Sequence, residues 1–296
     1  MSTALQCLAA AAGDAGRLAA RLGVPVEVID VHRFPDGELK VTVGAAADTT
    51  ILYLPLDRPN DKLIALLLAA EALRRGGARQ LVLVAPYLCY MRQDTAFHPG
   101  EAISQRAIGS LIAGTVDRVV TVDAHLHRTH DIRDVFPGIA AEDLSAMPAI
   151  ADHLRGTLDA ATVVVGPDGE SAQWVGALAG RLGLDHIVGT KTRAGDRSVS
   201  IRFDGGERLR GRPALLVDDI VSSGGTLIAC AKALVAAGAA SIDGVVTHAL
   251  FPPAMVDAFK RAGIRTLRST SSVPHPTNAI ALDGLLADAL LSEVTR

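Results

Sequence analysis

Blocks of like charge, paired cysteines and long apolar runs are all missing from this chain, and aromatic residues make up only 3% of it. The net charge is −3 and no cluster of lysine and arginine stands out, so nucleic-acid binding lacks its electrostatic basis. The three cysteines, Cys7, Cys89 and Cys230, are scattered and odd in number, as expected of reduced thiols in a cytoplasmic protein. No window has the length and continuity of a membrane span. The opening MSTALQCLAAAAGDAG is apolar, but it has no cationic start and Asp14 interrupts it, so no secretory signal is expected. With so few Phe, Tyr and Trp, aromatic contacts to any ligand should be few.

What is present describes a packed globular protein. Hydrophobic residues are 49% and charged residues 21% of 296, enough for two domains of ordinary size. Short Val/Ile/Leu runs at Val26–Val31, Thr50–Leu54, Leu81–Ala85, Val119–Val122, Thr162–Val165, Ala214–Val217 and Gly244–His248 read as strands. Between them Lys62–Arg75, Ala102–Ala113, Ser171–Leu182 and Leu227–Ala237 read as helices, with a further packing helix in Ala279–Val294. Apolar strands alternating with helices imply an α/β fold with mainly parallel sheets covered on both faces. The stretch PGIAAEDLSAMP, ahead of a helix from Ala149, marks a domain boundary near 140–150, taken here as 1–145 and 146–296.

An internal repeat supports two related domains. EALRRGGARQLVLVAPY (71–87) matches KALVAAGAASIDGVVTH (232–248), which sets Ala72 over Ala233. The same spacing sets DRPNDKLIA (57–65) over DDIVSSGGT (218–226), so the glycines are missing from the first copy. The alternative is that all αβ units look alike.

The run VDDIVSSGGT (217–226) carries the most chemistry. An apolar strand, Ala214–Val217, ends in Asp218 and Asp219, and a small polar loop of Ser222, Ser223, Gly224, Gly225 and Thr226 precedes a helix. Glycines let backbone amides approach an anion, and a helix start adds unsatisfied N–H groups and a positive dipole end. Hydroxyls can donate to further phosphate oxygens, and paired acids suit the vicinal hydroxyls of a sugar. Ser-Gly-Gly-Thr alone could be plain capping; with the acid pair it reads as a cradle for a pentose 5-phosphate. No Gly-Lys-Ser/Thr ending is present, so this is not a Walker loop.

Other candidates follow strands too. Arg92, Gln93 and Asp94 put a cation and hydrogen-bonding groups at the carboxyl edge of a sheet, where open α/β folds bind ligands. Arg92 could stack on a purine or pair with phosphate; a surface salt-bridge cluster is the competing reading. His125, His127 and His130 lack cysteine or carboxylate partners at zinc-like spacing, which leaves His125 as a group near a nucleotide–magnesium complex. Mg²⁺ keeps several waters and one or two carboxylates beside substrate phosphates, and Asp168 in Gly-Pro-Asp is the best carboxylate for it. Pro-Asp-Gly is also simply a good turn. KTRAGDR (191–197), with Lys191, Gly195 and Arg197, follows a strand expected at Asp185–Val188 and describes either a solvated loop or a mobile cationic loop closing on a transferred phosphoryl group. Such cations are worth about 10³–10⁵ in rate.

In their order, FPDGE (34–38), RPNDKLI (58–64), PYLCYMRQD (86–94), TVDAH (121–125), GPD (166–168), KTR (191–193) and VDDIVSSGGT resemble the ribose-phosphate pyrophosphokinase family across nearly the whole chain. KTR, PGEAIS (99–104) and Ser222 look more like the short archaeal-type members. The resemblance implies two tandem phosphoribosyltransferase-like domains, the first binding ATP and dimerising, the second binding ribose 5-phosphate. It further implies that Arg92, Gln93 and Asp94 bind ATP, with His125. Phe34, Asp36 and Glu38 would reach from a neighbouring subunit to the adenine, making a homodimer the minimal unit and a hexamer the common assembly. His125 and Asp168 would be metal or metal–water ligands for Mg²⁺, Lys191 and Arg193 the catalytic pair, and Asp218, Asp219 and Ser222–Thr226 the ribose 5-phosphate site. A somewhat longer segment after His125 and Ser at 222 depart from the usual bacterial pattern. A phosphoribosyltransferase sharing only the 217–226 loop, and a catalytically silent regulatory subunit, are the rival readings.

Overall fold

The computed structural model describes residues 2–194 and 198–294, so Gly195 and Arg197 lie outside the described residues. The chain divides into two compact units, Met1–Ser145 with Ser272–Pro274 and Ala281–Arg296, and Ala146–Ser271 with His275–Ile280.

In the first unit the apolar opening forms β1 (Thr3–Leu8) and α1 (Ala12–Leu22). These are followed by β2 (Val26–Arg33), β3 (Leu39–Thr42), β4 (Thr49–Tyr53), α2 (Pro59–Arg75), β5 (Gln80–Ala85), α3 (Ser104–Ala113), β6 (Arg118–Val122) and β7 (Ala140–Leu144). They build a seven-stranded sheet in the order β3-β2-β1-β4-β5-β6-β7. All pairings are parallel except the β2–β3 hairpin. Every residue of β4 and β6 is buried, the signature of strands covered on both faces.

The second unit comprises α4 (Met147–Leu154), β8 (Val163–Gly166), α5 (Ala172–Leu182), β9 (Asp185–Ala194), β10 (Ser198–Phe203), β11 (Pro213–Val221), α6 (Gly225–Ala236), β12 (Ser241–Ala249), α7 (Met255–Arg261), β13 (Ile264–Thr270) and β14 (Asn278–Ile280). Its seven-stranded sheet has the order β10-β9-β8-β11-β12-β13-β14, with the β9–β10 pair antiparallel. Strand for strand this is the order of the first sheet, and β4 and α2 stand where β11 and α6 stand. The repeat seen in the sequence is therefore a repeat of topology.

The last helix, α8 (Asp283–Val294), is counted with the first unit and packs on α1. Arg17 and Arg21 both pair with Asp283 at its start. Near its end, Arg118 Nη1 donates to Glu293 Oε1 at 2.6 Å, with both side chains buried. Arg118 Nη2 also donates to Glu142 Oε1 and to the Ala289 carbonyl.

Two elements run further than the sequence suggests. β11 continues through Asp218 and Asp219 to Val221, because β12 pairs with it as far as Val221↔Ala249. β9 continues past Val188 to Ala194, because β10 folds back along it with Lys191 opposite Ile201 and Arg193 opposite Val199. Lys191 and Arg193 accordingly sit on a strand of a hairpin and not on an irregular loop. Tertiary pairing here overrides the weak strand propensity of acidic and lysine residues.

Candidate active site

The phosphate-loop candidate lies where β11 hands over to α6. Ser222, Ser223 and Gly225 are exposed, Thr226 is half-buried and Gly224 is buried. Three of the five residues of this turn thus face solvent. Gly224 has φ +79°, a left-handed conformation that suits glycine, and it occupies the position preceding the first turn of α6. Its carbonyl accepts the first helical bond, from Ile228 N at 3.0 Å, and no side chain caps the helix. A helix start left this way offers N–H groups and the positive end of its dipole.

The acids beside the loop behave differently from each other. Successive strand residues face opposite sides of the sheet, so Asp218 and Asp219 diverge. Asp219 is 3% exposed and its Oδ1 accepts Ile220 N at 2.8 Å. Asp218 accepts Asp219 N at 3.2 Å, and burial, then the charges of Asp219 and Asp168, push its carboxyl well above the ordinary range. Lys191 offsets part of that. Its ammonium lies 3.3 Å from Asp168 Oδ2, and both side chains are largely buried.

Strand order explains this convergence. β9, β8 and β11 are adjacent, so Lys191, Asp168 just beyond β8, and Asp218 meet at one carboxyl edge. Asp168 caps the short turn that follows it, accepting Glu170 N at 3.2 Å, while Ser171 Oγ donates to its carbonyl at 2.6 Å. Gly166 is needed beneath it, because a Cβ there would come within 2.1 Å of Ser171 Oγ. The backbone of Arg193 is on β9; its side chain lies outside the described residues. Cys230 is fully buried in the hydrophobic core behind the site, where burial raises its thiol.

The equivalent turn of the first unit is closed. α2 begins at Pro59, so Ile64, the repeat-equivalent of Gly225, is already inside the helix. Lys62 donates to the Pro55 carbonyl at 2.7 Å and to Asp57 Oδ1 at 2.5 Å, which supplies an internal cation where the second unit has Ser223.

The carboxyl edge of the first sheet carries strain instead. Arg58, Tyr90 and Asp123, which follow the adjacent strands β4, β5 and β6, all have positive φ, at 48°, 64° and 40°. Such outliers concentrate at functional sites. Tyr90 Oη donates to Asn60 Oδ1 at 2.5 Å. Arg92, Gln93 and Asp94 lie in the loop beyond this turn, since β5 has already ended at Ala85. Arg92 is exposed and Gln93 Nε2 donates to the Thr95 carbonyl. Asp94 accepts Arg128 Nη1 at 2.8 Å, which joins the Arg-Gln-Asp loop to the histidine segment, and Arg128 lies over the Phe97 ring. Sequence reasoning does not single out Arg128, whose only signal is a cation between His127 and His130.

His125 meets His127 edge to face, their Nε2 atoms in contact. Among the described residues no group of three or more His, Cys, Asp or Glu is gathered as for a metal. Phe34, Asp36 and Glu38 form the tip of the β2–β3 hairpin. Phe34 N donates to the Glu38 carbonyl, Asp36 Oδ1 accepts Glu38 N, and the Phe34 ring is 40% exposed. Among the described residues no helix is long and apolar enough to cross a membrane.

Comparison with known proteins shows what the chain as a whole is similar to. Residues 7–115 match the N-terminal domain of ribose phosphate pyrophosphokinase, and residues 142–258 match the phosphoribosyl transferase domain. The chain is 30% identical to the ribose-phosphate pyrophosphokinase of the archaeon Methanopyrus kandleri, over 93% of this chain and 94% of that one. Identity to the Rhizobium meliloti ribose-phosphate pyrophosphokinase is 33%, over 91% and 88%. The crystal structure of phosphoribosylpyrophosphate synthetase from Mycobacterium smegmatis covers 99% of both chains with a TM-score of 0.85 at 24% identity, a likeness of fold.

Proposed function

The chain belongs to the ribose-phosphate pyrophosphokinase family, and we propose that it makes phosphoribosyl pyrophosphate from Mg-ATP and ribose 5-phosphate. The anomeric oxygen of the sugar forms a bond to the β-phosphorus of ATP. The bond from that phosphorus to the α,β-bridging oxygen breaks, AMP leaves, and the hydroxyl proton passes to solvent. Reactions of this kind need alignment and charge stabilisation more than covalent chemistry.

One observation carries the reading: a glycine-seated helix start lies beside Asp218, a half-buried carboxylate whose ionisation is disfavoured, and a largely buried Lys191–Asp168 pair. The loop 222–226 would hold the 5-phosphate, and Asp218 and Asp219 would fix the ring hydroxyls. Lys191 and Arg193 would steady charge developing on the transferred group. Arg92, Gln93, Asp94 and His125 of the first unit would bind ATP. Phe34, Asp36 and Glu38, on a hairpin tip with an exposed ring, would meet the adenine held by a second copy, within a homodimer or larger ring.

The residues suit Mg²⁺. Asp168 disfavours the ionisation of Asp218, and crowded carboxylate oxygens are the hard ligands that this cation takes. Asp168 would hold it in the second unit, and His125 is a separate candidate within the first. Bound there, it would neutralise phosphate charge.

Purified protein incubated with Mg-ATP and a panel of pentose phosphates, with AMP as readout, tests the reading. AMP formed with ribose 5-phosphate supports it, and none with any sugar sinks it. The match of residues 142–258 to a phosphoribosyl transferase domain favours one rival, a transferase that consumes phosphoribosyl pyrophosphate. Release of pyrophosphate from that compound and a free base would establish the rival. A silent regulatory subunit would instead yield no AMP alone yet alter the rate of an active partner.

A further inference from the structure

Gly224 rests directly on an aromatic ring. A Cβ built on it would come within 2.6 Å of Cε1 and Cζ of Phe259, with Met255 Cε next at 3.4 Å. Phe259 is on α7, far along the chain from the loop, and is 1% exposed. Its ring meets Phe251 edge to face, centroids 5.0 Å apart at 86°. Phe251, also 1% exposed, meets the His275 ring at 4.4 Å and 66°. Two of the six phenylalanines of an aromatic-poor chain are thus stacked beneath one turn.

The far end of this stack is fixed by hydrogen bonds. Thr277 N donates to His275 Nδ1 at 3.2 Å, which leaves the ring proton on Nε2 to be donated to the Phe251 carbonyl at 3.1 Å. Burial holds His275 below its usual range, so the neutral ring that this arrangement needs is the favoured one. Thr277 in turn accepts Ser269 N from β13 through its carbonyl at 2.9 Å.

We propose that Phe259, backed by Phe251 and His275, is a positioning residue that sets the height of the Gly224 amide and thereby the affinity of the loop for phosphate. The proposal rests on the phosphate-loop reading above. Amides aimed at an anion must be held to a fraction of an ångström, and Ser222 and Ser223 on the solvent side provide no packing for that. The ring supplies a flat, unyielding floor. Phe259 touches no substrate; it acts through Gly224.

The test uses Phe259→Leu, which removes the floor, and Phe259→Met as a milder, flexible replacement should the first fail to fold. A third variant, His275→Gln, retains a donor toward Phe251. Calorimetry with ribose 5-phosphate and with inorganic phosphate, beside steady-state kinetics, reads the effect. Phe259→Leu should weaken both ligands about tenfold or more and raise the sugar-phosphate KM to match, with the ATP KM within about twofold. His275→Gln should stay within about threefold of wild type. Parallel loss for ATP and sugar, or no loss for either, overturns the proposal.

Hydrogen exchange without ligand separates this from failure of the functional reading. Amides of 222–228 should exchange faster in Phe259→Leu, or in Phe259→Met, while the first unit is unchanged. Unaltered exchange there overturns the proposal whether or not the wild type makes AMP.

Discussion

Lys191 Nζ stands 3.3 Å from Asp168 Oδ2, with side chains 20% and 16% exposed. The pair joins β9 to the end of β8, and both charges act on Asp218 of the next strand, Asp168 raising its carboxyl and Lys191 lowering it. A cation so placed is already held near the carboxylates. On the proposed function, an entering phosphate group would compete with Asp168 for it.

Lys191→Ala should lower turnover by about 10³ or more and change ribose 5-phosphate affinity by only a few-fold, since the loop amides remain. Rapid-quench kinetics beside calorimetry measures both. A small loss of rate removes Lys191 from the active centre.

Asp218 makes the ligand-free protein sensitive to pH. Its carboxyl is raised in the folded state, so the native form binds this proton more tightly than the unfolded form. The stabilisation is complete below the ordinary Asp range and is lost as pH climbs from there through the raised value. Asp218→Asn should therefore raise Tm at pH 8 and flatten the fall of Tm between pH 5 and 8. A lower Tm at pH 8 in the variant contradicts this.

Gly224→Ala and Gly225→Ala should both weaken phosphate binding but differ in stability. The first puts a Cβ into the Phe259 ring from a residue at φ +79°, and should cost about 1–3 kcal/mol with loss of phosphate binding. The second meets nothing nearer than Ser223 Oγ at 3.8 Å, so Tm should hold while sugar-phosphate affinity falls. Denaturant unfolding and calorimetry distinguish them; equal Tm values for the two would refute the contrast.

Ribose 5-phosphate should bind once per chain. In the first unit the equivalent turn is inside α2, and Lys62 already pairs with Asp57. A calorimetric stoichiometry of two would show that the first copy keeps a working cradle.

Glu293→Ala should destabilise the first unit by about 3–5 kcal/mol, because it strands the buried Arg118 guanidinium. Hydrogen exchange should localise the loss to α8 and the strands it covers. A change below about 1 kcal/mol would mean that Glu142 and the Ala289 carbonyl satisfy Arg118 alone.

Much of this was legible in the chain. Uninterrupted apolar runs such as Leu81–Ala85 mark strands covered on both faces, and the repeat at 71–87 and 232–248 anticipates two sheets of one topology. The glycine loop of 222–226 was legible because few other uses require small residues at a strand-to-helix turn. The hairpin of β9 and β10 was not, since Lys191 and Arg193 offer no apolar face and become strand only through pairing with Val199 and Ile201. Strand continuation through Asp218 and Asp219 is likewise decided by β12. Nothing local marks Phe259, whose role beneath Gly224 exists only in three dimensions.

The most direct measurement is a ³¹P NMR time course of the protein with Mg-ATP and ribose 5-phosphate. The expected result is AMP and a sugar-linked diphosphate rising together in equal amounts, abolished in the Lys191→Ala variant. Accumulation of ADP with a singly phosphorylated product, or spectra that never change, would contradict diphosphoryl transfer at this site.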